Sequence, residues 1–335
     1  MDPSPLNYKL TFEPDLKKFT FDGLESVSIN CKKSVNIITM NCAELKIKSC
    51  IVKSGKKIIK STPKINEKTE ELQIKLGEKI RGLCTVDLEF KGILNDRLLG
   101  FYRSKYQQNG KTKYLATTQF EAADARRAFP CWDEPEAKAT FEISIIADNK
   151  FTAISNMPIK TKKKIGNKIT YNFQKTPLVS TYLIYLGVGE FEYLTGKAGK
   201  IQIRVVTTKG NTSKGKFSLE LGKKLLTSYE KYFGIKFPLP KLDLIAVPDF
   251  AAGAMENWGA ITFRETILLY DPKTSSTRTK QFIAEVISHE IAHMWFGNLV
   301  TMKWWNDLWL NESFATFMAT KFVDKFYPEW DLWNQ

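Results

Sequence analysis

The stretch HEIAHMWFGNLVTMKWWNDLWLNE, His289 to Glu312, decides how the chain is read. The chain has only two histidines, His289 and His293, and both lie here. On a helix, residues four apart project from one face a turn apart, so the two imidazoles can converge on one metal ion. Glu290, rotated by about 100° from His289, points beside such an ion rather than at it. That placement suits a general base. The surrounding residues Gln281 to Gly297 predict the helix, with Phe282, Val286, Ile287, Met294 and Trp295 as its apolar face and Gly297 at its end. A second helical pattern, Leu308 to Phe322, carries Glu312. A turn over Asn298 to Asn306 lets it pack back on the first, which makes Glu312 the natural third ligand. Two imidazoles and a carboxylate suit zinc, whose catalytic sites keep three protein ligands and a fourth position for water.

The five-residue His-Glu-x-x-His pattern alone arises by chance on many helices. A second motif, Gly253-Ala254-Met255-Glu256-Asn257, stands upstream in the sequence. Together the two resemble the M1 aminopeptidases, the gluzincin group that includes the puromycin-sensitive and endoplasmic-reticulum aminopeptidases. The likeness extends through Thr118 to Pro135 (TQFEAADARRAFPCWDEP) and Thr262 to Pro272 (TFRETILLYDP), covering most of the chain beyond about residue 85. Met294, Lys303 and Ser313 stand where the family more often has glutamine, glutamate and glycine, and none of these changes touches a ligand or the base.

The resemblance implies one zinc ion held by His289, His293 and Glu312, with Glu290 as the base and a peptide with a free N-terminus as substrate. It implies that Glu256 and Glu121 bind the substrate's α-ammonium, and that Gly253, Ala254, Met255 and Asn257 form the wall against which the peptide lies. A lone loop glutamate such as Glu121 is otherwise an ordinary solvated carboxylate, and Met255 an ordinary core residue. The family also implies a thermolysin-like α+β catalytic domain that continues beyond Gln335, with a tyrosine for the oxyanion that no position here matches. The chain is therefore expected to be an N-terminal portion, truncated within that domain, with reduced or no activity. Its apolar C-terminal helix is expected to associate with the missing C-terminal segment or with itself. Two other readings stand beside the aminopeptidase. One is a different zinc hydrolase on this scaffold, an endopeptidase or an epoxide hydrolase; the other is a non-catalytic, zinc-containing peptide-binding or assembly module.

The rest of the sequence sets the frame. The length of 335 residues suggests two domains, and an apolar fraction of 43% with 26% charged residues is ordinary for a globular protein. The first ten residues lack the basic and apolar regions of a signal peptide, and no apolar run reaches the ~18 residues of a membrane span, so a cytoplasmic protein without membrane contact is expected. Five cysteines, Cys31, Cys42, Cys50, Cys84 and Cys131, have no paired close spacing and read as reduced thiols. The charge of +14 lies in lysine-rich turns such as Lys53 to Lys60 and Lys160 to Lys168, without the interleaved aromatic residues of a nucleic-acid surface.

Residues 1–193 read as a largely antiparallel β domain. Its strands are expected at Tyr8 to Phe12, Glu25 to Cys31, Asn36 to Asn41, Leu45 to Val52, Glu71 to Leu76, Leu83 to Phe90, Phe141 to Ala147, Lys168 to Phe173 and Tyr182 to Phe191. The small, basic stretch Leu194 to Lys200 marks the boundary to residues 194–335, the catalytic domain. There the pattern predicts a strand at Ile201 to Thr207, a helix at Lys216 to Phe233, and strands at Leu242 to Val247 and Ala260 to Glu265.

Overall fold

Strict alternation of apolar and polar residues governs the first half of the chain, and a computed structural model shows it folded into sheets. The structure describes residues 2–335; Met1, counted in the β domain from sequence, lies outside the described residues. The strands follow in order: β1 (Ser4–Asp15), β2 (Thr20–Asn41), β3 (Lys46–Ser54), β4 (Lys57–Ile59), β5 (Ser61–Asn66) and β6 (Glu71–Ile93). Then come β7 (Gly100–Gln108), β8 (Lys111–Gln119), β9 (Thr140–Asp148), β10 (Thr152–Ser155), β11 (Ile159–Ile165), β12 (Lys168–Phe173) and β13 (Leu186–Gly189).

Strands β2 and β6 each cover two of the short strands expected from sequence, because register shifts between Cys31 and Val35 and between Val35 and Ile37 let one long strand bend where the pattern breaks. Nine strands form one sheet in the order β11-β12-β9-β1-β2-β6-β3-β4, with β5 on β6, and four form a second, β10-β13-β8-β7. The large sheet is antiparallel apart from β1 and β9, which run parallel. The segment Tyr182 to Phe191 is not one strand: Thr181–Leu183 is a 3₁₀ turn before β13.

The inward faces of β1, β2 and β6 carry Tyr8, Leu10, Phe12, Phe21, Val27, Ile29, Val86, Leu88 and Phe90, all buried. Phe21 lies opposite Gly92 and Gly23 opposite Phe90. Each ring lies over the facing glycine: a Cβ on Gly23 would stand 2.1 Å from the Phe90 ring. Of the described residues, 2–103 and 115–188 form this first unit.

Residues 104–114 and 189–335 form the second. The stretch Leu194 to Lys200 lies inside it, as the end of β14 (Phe191–Ala198) and its turn into β15 (Ile201–Thr208). The glycine, lysine and small residues there make a hairpin rather than a linker. Helix α1 (Lys216–Phe233), β16 (Lys241–Val247), β17 (Ala254–Met255), β18 (Ala260–Arg264), α2 (Thr277–Ala292) and α3 (Leu308–Phe326) complete the unit. The sheet order is β14-β15-β16-β18-β17, so β17, which holds part of the Gly253 to Asn257 motif, is an edge strand. Helix α1 buries Leu219, Gly222, Leu225, Leu226 and Tyr229, one stripe at helical spacing, and stops at Gly234 in the left-handed region.

Helix α2 begins at Ser276, whose hydroxyl caps the Thr279 amide. Its buried stripe is Ile283, Ala284, Ile287, Ser288 and Ile291. Phe282, expected on the apolar face, is 49% exposed; it stands one position off the stripe that continues to the histidines. The buried Tyr229 hydroxyl ties the three helices together, donating within 3.0 Å of the Ser288 carbonyl of α2 and 3.2 Å of the Met318 carbonyl of α3.

One inward side chain of the β-rich unit breaks the pattern. Glu25 is buried, with neither carboxylate oxygen hydrogen-bonded. Burial alone pushes its carboxyl well above the ordinary range. Such a group holds a proton when folded that the unfolded chain releases, so its contribution is fully present below the unfolded pKa of about 4.3 and is lost as pH rises towards the folded value. Urea unfolding of Glu25→Gln should show this unit about 1–3 kcal/mol more stable than the parent at pH 8, with the gap closing near pH 4. Equal stability at pH 8 would contradict the placement.

Candidate metal centre

Residues of the second unit build the site. His289 lies in the last turn of α2, and His293 caps it with its backbone still helical at φ −57° and ψ −22°. The four-residue offset therefore survives the helix end, and both rings face one way. Their Nε2 atoms are 2.9 Å apart. Glu312, in the first turns of α3, sets Oε2 at 3.2 Å from the His289 Nε2 and Oε1 at 3.6 Å from the His293 Nε2.

These separations of 2.9 to 3.6 Å, measured to one or the other oxygen of Glu312, bracket the edges of a tetrahedron. Ligands about 2.0–2.1 Å from a zinc ion stand about 3.3–3.4 Å from one another. His293 is buried, while the Glu312 side chain is 42% exposed, so the cluster is open to solvent on one side. The donor set and its spacing fit zinc.

The outer ring nitrogens are also held. Nδ1 of His293 donates to the Phe296 carbonyl at 2.9 Å, leaving Nε2 as the free ligand nitrogen. Nδ1 of His289 is 3.3 Å from Oγ1 of Thr316. Thr316, missed from sequence, follows Glu312 by four residues and so shares its helix face, the same signal that paired the histidines.

Carboxylates crowd the site. Glu256 and Glu290 are both buried, and oxygens of Glu256 and Glu312 lie within 4.8 Å. Burial would lower the His293 pKa, but the negative charges of Glu256, Glu312 and Glu290 outweigh it and push the imidazole up to about 10. Burial raises the Glu312 carboxyl, and the two histidines reverse this and hold it far below the usual range. The field of the site thus favours positive charge strongly.

Beside it runs the Gly253 to Asn257 motif. Strand β17 pairs with β18, Ala254 opposite Phe263 and Met255 opposite Thr262. The Arg264 amide donates to the Gly253 carbonyl at 2.9 Å, and its guanidinium reaches the carbonyls of Phe250 at 3.2 Å and Ala251 at 2.6 Å. A Cβ on Gly253 would meet only Ile267 at 3.6 Å, so the chain's own packing does not demand glycine there. Met255 is core. Asn257 is fully buried and turned back on Thr262, its Nδ2 donating to Oγ1 at 3.1 Å. Glu256 keeps Oε1 buried without a hydrogen-bond partner. Such an oxygen is free to accept from a donor or a cation.

The turn after the motif is pinned from below. Lys241 donates to the Gly259 carbonyl and to Asp243, each at 2.7 Å, and Arg204 grips Asp243 through two bonds of 2.6 Å. Burial brings the Lys241 ammonium down to about 8, against the pull of Asp243. Glu121 belongs to the first unit, just after Gln119 at the end of β8.

Comparison with known proteins bears on the family. The model of the Peptidase M1 N-terminal domain matches residues 4–183, and that of the Peptidase family M1 domain matches residues 217–335. The chain is 44% identical over 338 residues to "Aminopeptidase M1" of Arabidopsis thaliana, covering 99% of this chain and 38% of that protein. It is 44% identical to "Aminopeptidase 2, mitochondrial" of Saccharomyces cerevisiae, covering 35% of it. To the "Puromycin-sensitive aminopeptidase" of Caenorhabditis elegans it is 43% identical, again over 35% of that length. The chain thus spans a little over a third of the relatives it matches. With both domain models accounting for most of its residues and two motifs folded into one site, the chain belongs to the M1 peptidase family.

Proposed function

We propose that the site is that of a zinc-dependent aminopeptidase. The observation that carries this reading is Glu256: a buried carboxylate with an unpaired oxygen, within 4.8 Å of the ligand Glu312. A substrate α-ammonium placed there sits one residue from the reacting carbonyl, which restricts cleavage to chain ends. For Glu121 as a second ammonium partner, the support is the family pattern alone. The edge strand β17 offers backbone groups to an extended peptide, as sheet edges do.

Zinc held by His289, His293 and Glu312 would supply Lewis acidity and acidify a water. Glu290 does the proton work. Its carboxylate takes a proton from the attacking water as the water adds to the scissile carbonyl, then returns it to the leaving amine nitrogen. A reducing compartment such as the cytoplasm fits the five cysteines, none of which is in a disulfide; no described helix is long and apolar enough to cross a membrane.

Helix α3 and the preceding turn leave an apolar groove of about 510 Å³ lined by Phe296, Met302, Trp309, Leu310, Phe314 and Phe317. Trp309 is 61% exposed. We read it as the seat of further chain of the kind the longer relatives carry, and in the isolated chain as a face that a second copy covers.

Three outcomes follow from these assignments. Elemental analysis should find one zinc per chain in the parent and in Glu290→Gln but little in His293→Ala; zinc lost from Glu290→Gln would refute its role as base. Calorimetry should show Glu256→Gln binding a free-amine dipeptide about tenfold more weakly, with the acetylated dipeptide unaffected. Equal loss for both peptides would remove Glu256 from the ammonium. Sedimentation should show the parent self-associating with concentration and Leu310→Glu monomeric, whereas a monomeric parent would contradict the covered groove.

A further inference from the structure

We infer that Asn298 is a positioning residue that fixes Glu256 relative to the metal-binding helix and so sets the distance between the metal and the substrate's end. The inference rests on the aminopeptidase reading of Glu256 given above. Asn298 is fully buried. Its backbone amide donates to the carbonyl of His293 at 3.0 Å. Its side-chain Nδ2 donates to the carbonyl of Glu256 at 2.8 Å. One residue therefore hydrogen-bonds the main chain of a metal ligand on one side and the main chain of the ammonium-binding residue on the other.

The turn that carries Asn298 is rigid. Gly297 has φ +134°, and a Cβ there would crowd Nδ1 of His293 at 3.1 Å and its carbonyl at 3.3 Å, so glycine is required by both conformation and space. The Gly297 amide donates to the Val300 carbonyl at 2.7 Å and the Val300 amide to the Trp295 carbonyl at 3.0 Å. Thr301 closes the turn with its hydroxyl 3.2 Å from the Asn298 carbonyl. Strand β17, by contrast, is two residues long and paired on one side only. Its β18 partner fixes Gly253 to Met255, but Glu256 lies past the last paired residue. The Asn298 amide holds it there. Met294, one turn before Asn298, offers Nδ2 only a thioether sulfur at 3.7 Å, so the Glu256 carbonyl is the strong acceptor.

The test is the isosteric Asn298→Asp, which keeps volume but cannot donate, beside Asn298→Ser, which adds no charge. Hydrogen–deuterium exchange of residues 253–258 and zinc content are measured on each, with KM and kcat for a free-amine aminoacyl amide. Both variants should retain one zinc per chain and normal exchange in α2, while exchange across residues 253–258 speeds about tenfold and KM rises about tenfold with kcat changed far less. Unchanged exchange in residues 253–258 would overturn the inference. So would loss of zinc and of α2 protection together, which would make Asn298 a fold residue. Exchange and zinc need no turnover, so these two readouts decide the role of Asn298 even in an inactive parent, whereas equal binding of free-amine and acetylated dipeptides by the parent would defeat the functional reading instead.

Discussion

Negative charge concentrated around two imidazoles is the constraint on which the second unit depends. Glu256, Glu290 and Glu312 surround His289 and His293, and burying carboxylates without compensation costs several kcal/mol each. Protonating His293 relieves part of this, as its raised pKa shows. A dication between the two imidazoles and the Glu312 carboxylate relieves more, because the donor separations already bracket its coordination edges. The unpaired oxygen of Glu256 remains for a second cation, and a peptide's terminal ammonium is one of the right size and charge.

Neighbouring elements hold these groups against their mutual repulsion. The Tyr229 hydroxyl bonds the carbonyls of Ser288, next to His289, and of Met318, on the helix that bears Glu312, so α1 fixes the spacing of the two ligand helices. Asn298 does the same between the end of α2 and the segment after β17 that carries Glu256. Lys241 and Asp243 pin the turn beyond it. The site is thus a set of helix and strand ends whose main-chain carbonyls are spoken for by buried side chains, the arrangement that preorganised sites need.

Much of this was legible in the amino-acid sequence. Helical spacing placed His289 and His293 on one face, and the limits of α1 read from pattern, Lys216 to Phe233, are those of the structure. Family likeness placed Glu256 beside the metal ligands. What escaped depends on tertiary contact. Phe282 looked like core, yet the helix turns a different stripe inward. Thr316 and the Phe296 carbonyl, which orient the histidines, carry no signal of their own, since a threonine on a helix or a main-chain carbonyl becomes a partner only once the helices pack. Asn298 read only as the start of a turn, but its side chain reaches across to Glu256, and no local pattern encodes that direction. The bends of β2 and β6 were invisible because each breaks an alternating pattern in the way a turn would.

The most direct test of the account is turnover of paired aminoacyl amides, one with a free amine and one acetylated, by the zinc-loaded 335-residue chain with and without a chelator. The account predicts that all turnover falls on the free-amine amide, is abolished by the chelator and is restored by zinc. Cleavage of the acetylated amide at a comparable rate, or hydrolysis indifferent to chelation, would contradict it.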